Sequence, residues 1–290
     1  MKRSAFASII GLAALVGIAM SALAQDGGFS FQTIIFPGDT FTQLLGINSA
    51  GTIAGYHGAD QNMGFVLTLP TTFTAEQFPG SAQTQVLGIN NRGNTAGFYI
   101  IDDGMPHGFL DIDGTFSTVD FPGTTFNQLL GVNTLDQAAG YWEDADRNDH
   151  PYIFDQKRGT FSAVTIPGAT SAQATGINDP GRVSGFYVDN NGTHGFLLAD
   201  GTVTTLDFPG SPFTQALGLN NRGQVVGFYM PTADVTHGFV YRDGHFQSID
   251  DPQGVNTTLI NGINPRGQIV GFYVDAAGNT DGFVGTPTSE

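Results

Sequence analysis

The feature that most constrains how this chain can fold is a short motif that recurs six times at nearly constant spacing. The motif is Gly-Ile-Asn or a close variant, and its asparagines are 42 to 45 residues apart. A second glycine, followed by Tyr or Phe, keeps the same spacing. The six motif asparagines are Asn48, Asn90, Asn133, Asn178, Asn220 and Asn264. Sequence periods of this length are typical of repeat architectures.

The fifth copy shows the local structure that the sequence predicts for every copy. Four segments rich in β-branched and aromatic residues are separated by turn residues, which is the pattern of short strands. The turn before the third strand ends in Gly223, where a positive φ is needed, and Asp136 takes that place in the third copy. Helical periodicity is absent, so the chain is predicted to be all-β. The four predicted strands are 202–208, 215–220, 224–229 and 237–241.

Four antiparallel strands in each of six copies predict a six-bladed β-propeller. Because the chain begins with the first strand of a copy and ends with the fourth, the N-terminal strand can pair with the last blade and close the ring. A β-solenoid is the alternative, but it needs capping units, and the end copies are as regular as the middle ones. The predicted single domain spans residues 25–290, with copies at 29–70, 71–114, 115–159, 160–201, 202–244 and 245–290.

The N-terminus has the three-part pattern of a secretory signal peptide over residues 1–24. Lys2 and Arg3 form the positive region, an apolar run follows, and small residues precede a cleavage point after Ala24. The apolar run is too short to span a bilayer comfortably. The protein is therefore predicted to be exported, to the periplasm or the medium, with no membrane span.

The charge and composition of the chain exclude several classes of protein. The net charge is −16, so a nucleic-acid binder or a basic protein of the membrane surface is not expected. Cysteine is absent, which removes disulfides, thiol chemistry and cysteine-ligated zinc. A chain of this length can be stabilised by its own core instead.

The repeat resembles the HAF-repeat family of bacterial extracellular proteins. The resemblance is carried by Asp-Phe-Pro-Gly, Gly-Leu-Asn-Asn, Gly-Phe-Tyr and His-Gly-Phe within residues 207–239, and by a similar series within 177–196. It extends over all six copies. What it implies is an exported repeat protein with no known catalytic residues.

A binding site is expected on the face of the propeller that carries the longer loops. At the start of each innermost strand five copies have a glutamine, and two residues earlier the odd copies have a phenylalanine. Aromatic rings beside amides suit a sugar or an extended peptide. Alternatively, the amides bond loop backbone and the rings pack between blades. The candidate ligand-binding residues are Gln43, Gln85, Gln128, Gln173, Gln215, Phe41, Phe126, Phe213 and Trp142, the one tryptophan.

The loop of the third copy also contains a candidate calcium site. Asp144, Asp146 and Asn148 have the 1, 3, 5 spacing of a calcium loop, but position 6 is Asp149 instead of glycine. A solvated acidic loop is the alternative. Four histidines occupy one repeat position, and each is expected to bond a carbonyl or carboxylate of its own blade, because a shared metal would require them to converge. They are His107, His150, His194 and His237.

These features predict a non-catalytic binding or scaffold propeller for a polysaccharide, a peptide or an envelope partner. The alternative is an extracellular polysaccharide hydrolase or lyase, centred on Asp144, Asp146 and His150. A nucleophile elbow of the Gly-x-Ser-x-Gly type is absent from the sequence. Fold alone does not decide between binding and catalysis.

Overall fold

The computed structural model describes residues 25–26 and 28–288, and the predicted signal peptide lies outside the described residues. The described residues form strands and turns, and none of them is helical. The strands are β1 (Gln25–Asp26), β2 (Phe29–Ile34), β3 (Thr42–Ile47), β4 (Thr52–His57), β5 (Met63–Thr68), β6 (Thr72–Ala75), β7 (Gln83–Ile89), β8 (Thr95–Ile100), β9 (Pro106–Ile112), β10 (Thr115–Thr118), β11 (Asn127–Val132), β12 (Gln137–Glu143), β13 (Asp149–Asp155), β14 (Thr160–Ala163), β15 (Ser171–Ile177), β16 (Val183–Asp189), β17 (Gly192–Ala199), β18 (Thr202–Leu206), β19 (Thr214–Leu219), β20 (Val225–Thr232), β21 (Val235–Arg242), β22 (His245–Ile249), β23 (Thr258–Ile263), β24 (Ile269–Val274) and β25 (Thr280–Pro287).

The strands form six antiparallel sheets, which are the six blades of a β-propeller. Blades 1 to 5 are consecutive groups of four strands, β3–β6, β7–β10, β11–β14, β15–β18 and β19–β22. Blade 6 has the order β23, β24, β25, β2, and the short β1 extends it outward. The prediction of an all-β, six-bladed propeller with four-stranded blades is confirmed.

Strand β2 closes the ring by pairing antiparallel with β25, in a register from Phe29 opposite Pro287 to Ile34 opposite Gly282. Phe31 is buried at this seam, and its ring lies 5.5 Å from that of Phe283 in an edge-on arrangement. The N-terminal strand thus supplies the outer strand of the last blade, as the sequence predicts.

The predicted strands of the fifth copy are placed correctly, but their ends differ. Strands β20 and β21 are longer than predicted because a tight hairpin joins Thr232 to Val235. The turn glycine, Gly223, has a φ of 82°, and Asp136 has a φ of 59° at the same place in the third copy. Both residues adopt the left-handed conformation that the turn requires.

The innermost strands approach one another closely at the motif glycines. A Cβ added to Gly88 would lie 2.9 Å from the Cα of Gly131, and one added to Gly131 would lie 3.0 Å from the Cα of Gly176. Only glycine allows this approach of backbone to backbone. The motif glycine therefore sets how tightly the blades pack around the axis.

The motif asparagines link each blade to the next. Asn48 donates from Nδ2 to the carbonyl oxygen of Asn90 at 3.1 Å, and its Oδ1 accepts from the N–H groups of Ala50 and Thr52 in its own turn. The equivalent inter-blade bonds run from Asn90 to Asn133, Asn133 to Asn178, Asn178 to Asn220, Asn220 to Asn264 and Asn264 to Asn48. Together the six bonds form a closed ring.

The loops that connect the blades also hold them together. Asp120 lies 2.7 Å from Nδ1 of His107 in the preceding blade, and the next residue, Phe121, stacks on Trp142 of the following blade. Before blade 5, Phe208 stacks on Tyr229 with ring centroids 3.5 Å apart. The Asp-Phe-Pro-Gly motif thus contacts both neighbouring blades.

The propeller has two different faces. The upper face consists of the loops that lead into the innermost strands and the loops that join the second strand of a blade to the third. These loops touch, since the N–H of Met230 donates to the carbonyl of Phe213 at 3.0 Å. The lower face consists of tight turns. Among the lysines and arginines of the described residues, Arg147 alone lies in an upper-face loop, so this face is strongly acidic.

Candidate functional site

The upper face carries three pairs of aromatic rings, one in each odd-numbered blade. In each pair, a phenylalanine from the loop before the innermost strand lies beside an aromatic residue of the second strand. That aromatic residue directly follows the glycine that recurs at this position in every copy. The pairs are Phe41 with Tyr56 at 5.9 Å, Phe126 with Tyr141 at 5.8 Å and Phe213 with Phe228 at 5.8 Å between ring centroids. All three phenylalanines are partly exposed.

Glutamines lie next to these rings because the register of the first two strands puts them opposite the aromatic residues. In blade 1, Oε1 of Gln43 accepts a hydrogen bond from Tyr56 at 2.6 Å. In blade 3, Oε1 of Gln128 accepts from Tyr141 at 3.0 Å. Each of these amides therefore keeps its NH₂ group for another partner.

The other glutamines have different neighbours. Gln85 donates to Oδ1 of Asn62 at 2.6 Å, and Gln173 donates to Oδ2 of Asp149 at 2.8 Å. Gln173 and Gln215 line a cavity on the axis with a volume of about 200 Å³. The cavity wall also contains the apolar residues Leu45, Leu87, Leu130, Leu217 and Phe186. The predicted glutamines thus share the upper face but not a single contact pattern.

The two tyrosines of the aromatic pairs are neutral hydrogen-bond donors. Burial raises the pKa of Tyr56 to about 12. Burial, together with the charges of Asp149 and Glu143, raises the pKa of Tyr141 well above its usual range. The sequence singled out neither tyrosine as a site residue, although the glycine-aromatic landmark that contains them is visible in every copy.

Trp142 lies within the packing of blade 3. Its ring stacks on His150 at 4.1 Å and on Phe121 at 5.6 Å. It occupies the position at which blades 2 and 5 have a tyrosine, Tyr99 or Tyr229, that stacks on the loop phenylalanine. These contacts account for a large aromatic ring at this position by its packing alone. A contact between Trp142 and a ligand stays a prediction.

The candidate calcium residues form a hairpin turn between β12 and β13. Oδ1 of Asp144 accepts from the N–H groups of Asp146 and Asn148 at 2.9 Å, and Oδ2 lies 2.8 Å from Nε2 of His150. The hydrogen bonds from His150 and from the turn hold the pKa of Asp144 down at about 2. The same turn occurs in blade 6, where Asp275 accepts from the N–H groups of Ala277 and Asn279. The spacing thus serves a turn, and calcium binding there stays a prediction.

The histidines contact carboxylates, but the prediction that each contact stays within one blade is wrong for His107 and His237, whose partners Asp120 and Asp250 lie in the loops that lead into the next blade. His107 lies between Asp120 at 2.7 Å and Asp103 at 3.0 Å, and His237 lies 2.7 Å from Asp250. Partial burial lowers the pKa of His107, but the bonds to Asp120 and Asp103 outweigh it and raise the pKa. Within the described part of the chain, no group of three or more acidic, histidine or cysteine side chains is placed to hold a metal ion.

The fold is similar to that of several solved structures, including a lectin. A mutant of the Aleuria aurantia lectin AAL, solved in complex with Fucalpha1-6GlcNAc, superposes with a TM-score of 0.53 at 12% identity, over 87% of this chain and 98% of the lectin. AofleA from Arthrobotrys oligospora gives 0.53 at 13% identity, over 89% and 83%. TolB from Acinetobacter baumannii gives 0.55 at 13% identity, over 70% of this chain and 52% of TolB. At these identities the similarity shows the fold alone.

Sequence comparison adds no relative. No family model matches the chain, and no curated protein matches it. Among the described residues, no helix has the length and apolar character needed to cross a membrane. Functional inference therefore depends on the geometry of the upper face.

Proposed function

We propose that this protein is an exported, non-catalytic propeller that binds carbohydrate on its upper face. The observation that carries the proposal is the set of three aromatic pairs in blades 1, 3 and 5, each with a glutamine beside it. A half-buried ring offers an apolar surface to the C–H face of a sugar, and an adjacent amide can both donate to and accept from sugar hydroxyls.

The polar groups of these sites are suited to a neutral ligand. The free NH₂ groups of Gln43 and Gln128 are uncharged donors, and the raised pKa values of Tyr56 and Tyr141 keep both phenols protonated. The solved lectins of the same fold include complexes with fucosides, which supports a propeller as a carbohydrate scaffold. The predicted signal peptide and the resemblance to HAF-repeat proteins support export.

The proposal is tested by screening the chain from residue 25 onward on a glycan array and then by calorimetry with the best ligand. The test variant is F41A/F126A/F213A, which removes one ring from each pair. The even blades provide a matched control, because Gln83 and Thr257 stand at the equivalent positions there. The control variant is therefore Q83A/T257A.

We expect the triple phenylalanine variant to lose binding by at least about tenfold, since each truncated ring costs contact area at a site of its own. The control is expected to bind like the parent. Binding by the triple variant that equals the parent's, or an array on which the parent binds no glycan, would refute the proposal.

A further inference from the structure

The sixth copy departs from the others at two positions that flank a tyrosine. In the fifth copy, Phe208 stacks on one side of Tyr229 at 3.5 Å, and His237 lies beside the same ring at 5.3 Å. The corresponding residues of the sixth copy are Asp251, Tyr273 and Asp281. Two carboxyl groups thus take the places of two rings, while the tyrosine is kept.

Both carboxyl groups are buried. Asp251 is 1% exposed and Asp281 is 6% exposed. Oδ1 of Asp251 accepts from the N–H of Gln253 at 2.9 Å, but Oδ2 is buried without a hydrogen-bond partner. Asp281 lies directly across the strand pair from Tyr273. A buried carboxylate oxygen without a partner is costly, and such a group calls for a missing ligand or a proton.

The residues around Asp251 and Asp281 add negative charge and supply no positive charge. In the described residues neither carboxylate forms an ion pair with Lys, Arg or His. Asp275 acts on Asp281 as a further like charge, and Asp250 next in the chain is already paired with His237. Burial, opposed by the Gln253 N–H and reinforced by the charge of Asp281, raises the pKa of Asp251 to about 6.

We propose that Asp251 and Asp281 form a calcium-binding site in the upper part of blade 6. Calcium takes six to eight oxygen ligands, and carboxylates are its preferred protein ligands. An ion here would neutralise both groups and supply the missing partner of Oδ2. Because the site supplies only two carboxylates, we expect weak binding, with a Kd on the order of 0.1 to 1 mM.

The site is independent of the carbohydrate sites and of the turn at Asp144. It does not depend on the proposed function, because it lies in blade 6, which has no aromatic pair of the odd-blade type. It differs from the sequence-predicted calcium residues, among which Asp144 has Oδ1 occupied by turn N–H groups and Oδ2 by His150. The two candidate calcium sites can therefore be separated by substitution.

Thermal unfolding of the chain from residue 25 onward, at pH 7.5, tests the site. We expect about 10 mM CaCl₂ to raise Tm by about 3 °C relative to EDTA, and equimolar MgCl₂ to raise it less. D251N is expected to lose the calcium response. D144N, in the blade 3 turn, is expected to keep it.

A second variant, with the residues of the fifth copy at both positions, distinguishes loss of calcium binding from misfolding. D251F/D281H recreates the Phe–Tyr–His arrangement of the fifth copy, so it is expected to fold, to have a higher Tm than the parent in EDTA and to show no calcium response. Tb³⁺ provides a local readout, because Tyr273 should sensitise its luminescence. Y273F is expected to lose most of that emission but to keep the calcium-induced rise in Tm.

Two results would overturn the proposal. One is a calcium-induced rise in Tm that is the same in D251N as in the parent. The other is a parent that gains nothing from calcium at pH 7.5. If D251N is then more stable than the parent, the two carboxyl groups share a proton instead of a cation.

Discussion

The side-chain amide of Asn264 donates a 3.2 Å hydrogen bond to the main-chain carbonyl of Asn48, across the seam where the last blade meets the first. The same bond links every other neighbouring pair of blades, so the lower end of the axis is encircled by six asparagines. The Asn of the Gly-Ile-Asn motif therefore joins blades, and the Gly allows the close approach that brings the asparagines within reach.

Replacing one asparagine of this ring should destabilise the whole propeller. In N264A, the carbonyl of Asn48 loses its donor, and the N–H groups of Arg266 and Gln268 lose the Oδ1 that caps the turn. We expect a loss of about 2–4 kcal/mol in the free energy of unfolding, measured in urea. The exposed Asn191 gives the control, since N191A should change stability by less than about 0.5 kcal/mol. Equal effects of the two substitutions would contradict this role of the ring.

Ring closure can be trapped chemically because the chain has no cysteine. Ser30 of β2 lies directly opposite Thr286 of β25. In S30C/T286C, we expect dibromobimane to join the two thiols in the folded protein and not in urea, as judged by the fluorescence of the bridged product. Cross-linking that is absent from the folded protein would be incompatible with pairing of the chain ends.

Glu76 should make stability depend on pH. It is a polar residue at a position that is apolar in the other copies, where it is Ile34, Val119, Val164, Leu206 or Ile249. Burial raises the pKa of Glu76 from 4.5 to about 7, opposed by a hydrogen bond from Thr95 and reinforced by the charge of Asp111. The folded protein therefore holds a proton that the unfolded chain has released between these pH values.

The sign of the effect follows from that proton. Since the folded state binds more protons than the unfolded state between pH 4.5 and 7, the free energy of unfolding falls as pH rises through this window, by about 3 kcal/mol for the full shift. In E76Q this part of the pH dependence should disappear, as measured by urea unfolding at pH 5 and pH 8. D200N, in an exposed turn, serves as the control. Parallel pH profiles for E76Q and the parent would disprove the assignment.

The fold could be predicted because the repeat fixes the phase of every strand and turn. Six copies with four strands each predicted six blades. The positions of the first and last strands predicted that the N-terminal strand pairs with the last blade. The ends of β20 and β21 could not be predicted, because they depend on a hairpin that forms only once the two strands pair. The bond from Asn48 to Asn90 could not be predicted either, since it joins residues that only the ring geometry brings together.

The candidate site was predictable in part. The glutamines and phenylalanines were placed on the correct face by strand order, but the pairing of Gln43 with Tyr56 depends on cross-strand register. The spacing of Asp144 and Asn148 fits a calcium loop and a hairpin turn equally well. What favours the turn in the structure is that β13 begins at Asp149, directly after it. Asp251 and Asp281 stand at positions where the fifth copy has phenylalanine and histidine, and this difference is visible only when the copies are aligned.

The stoichiometry of glycan binding, measured by calorimetry with a monovalent form of the best array ligand, decides whether the three aromatic pairs are the binding sites. Three aromatic pairs predict three ligands bound per chain, two for each of the single variants F41A, F126A and F213A, and none for the triple variant. Stoichiometry that stays the same in the triple variant would place the binding site elsewhere and contradict binding at the aromatic pairs.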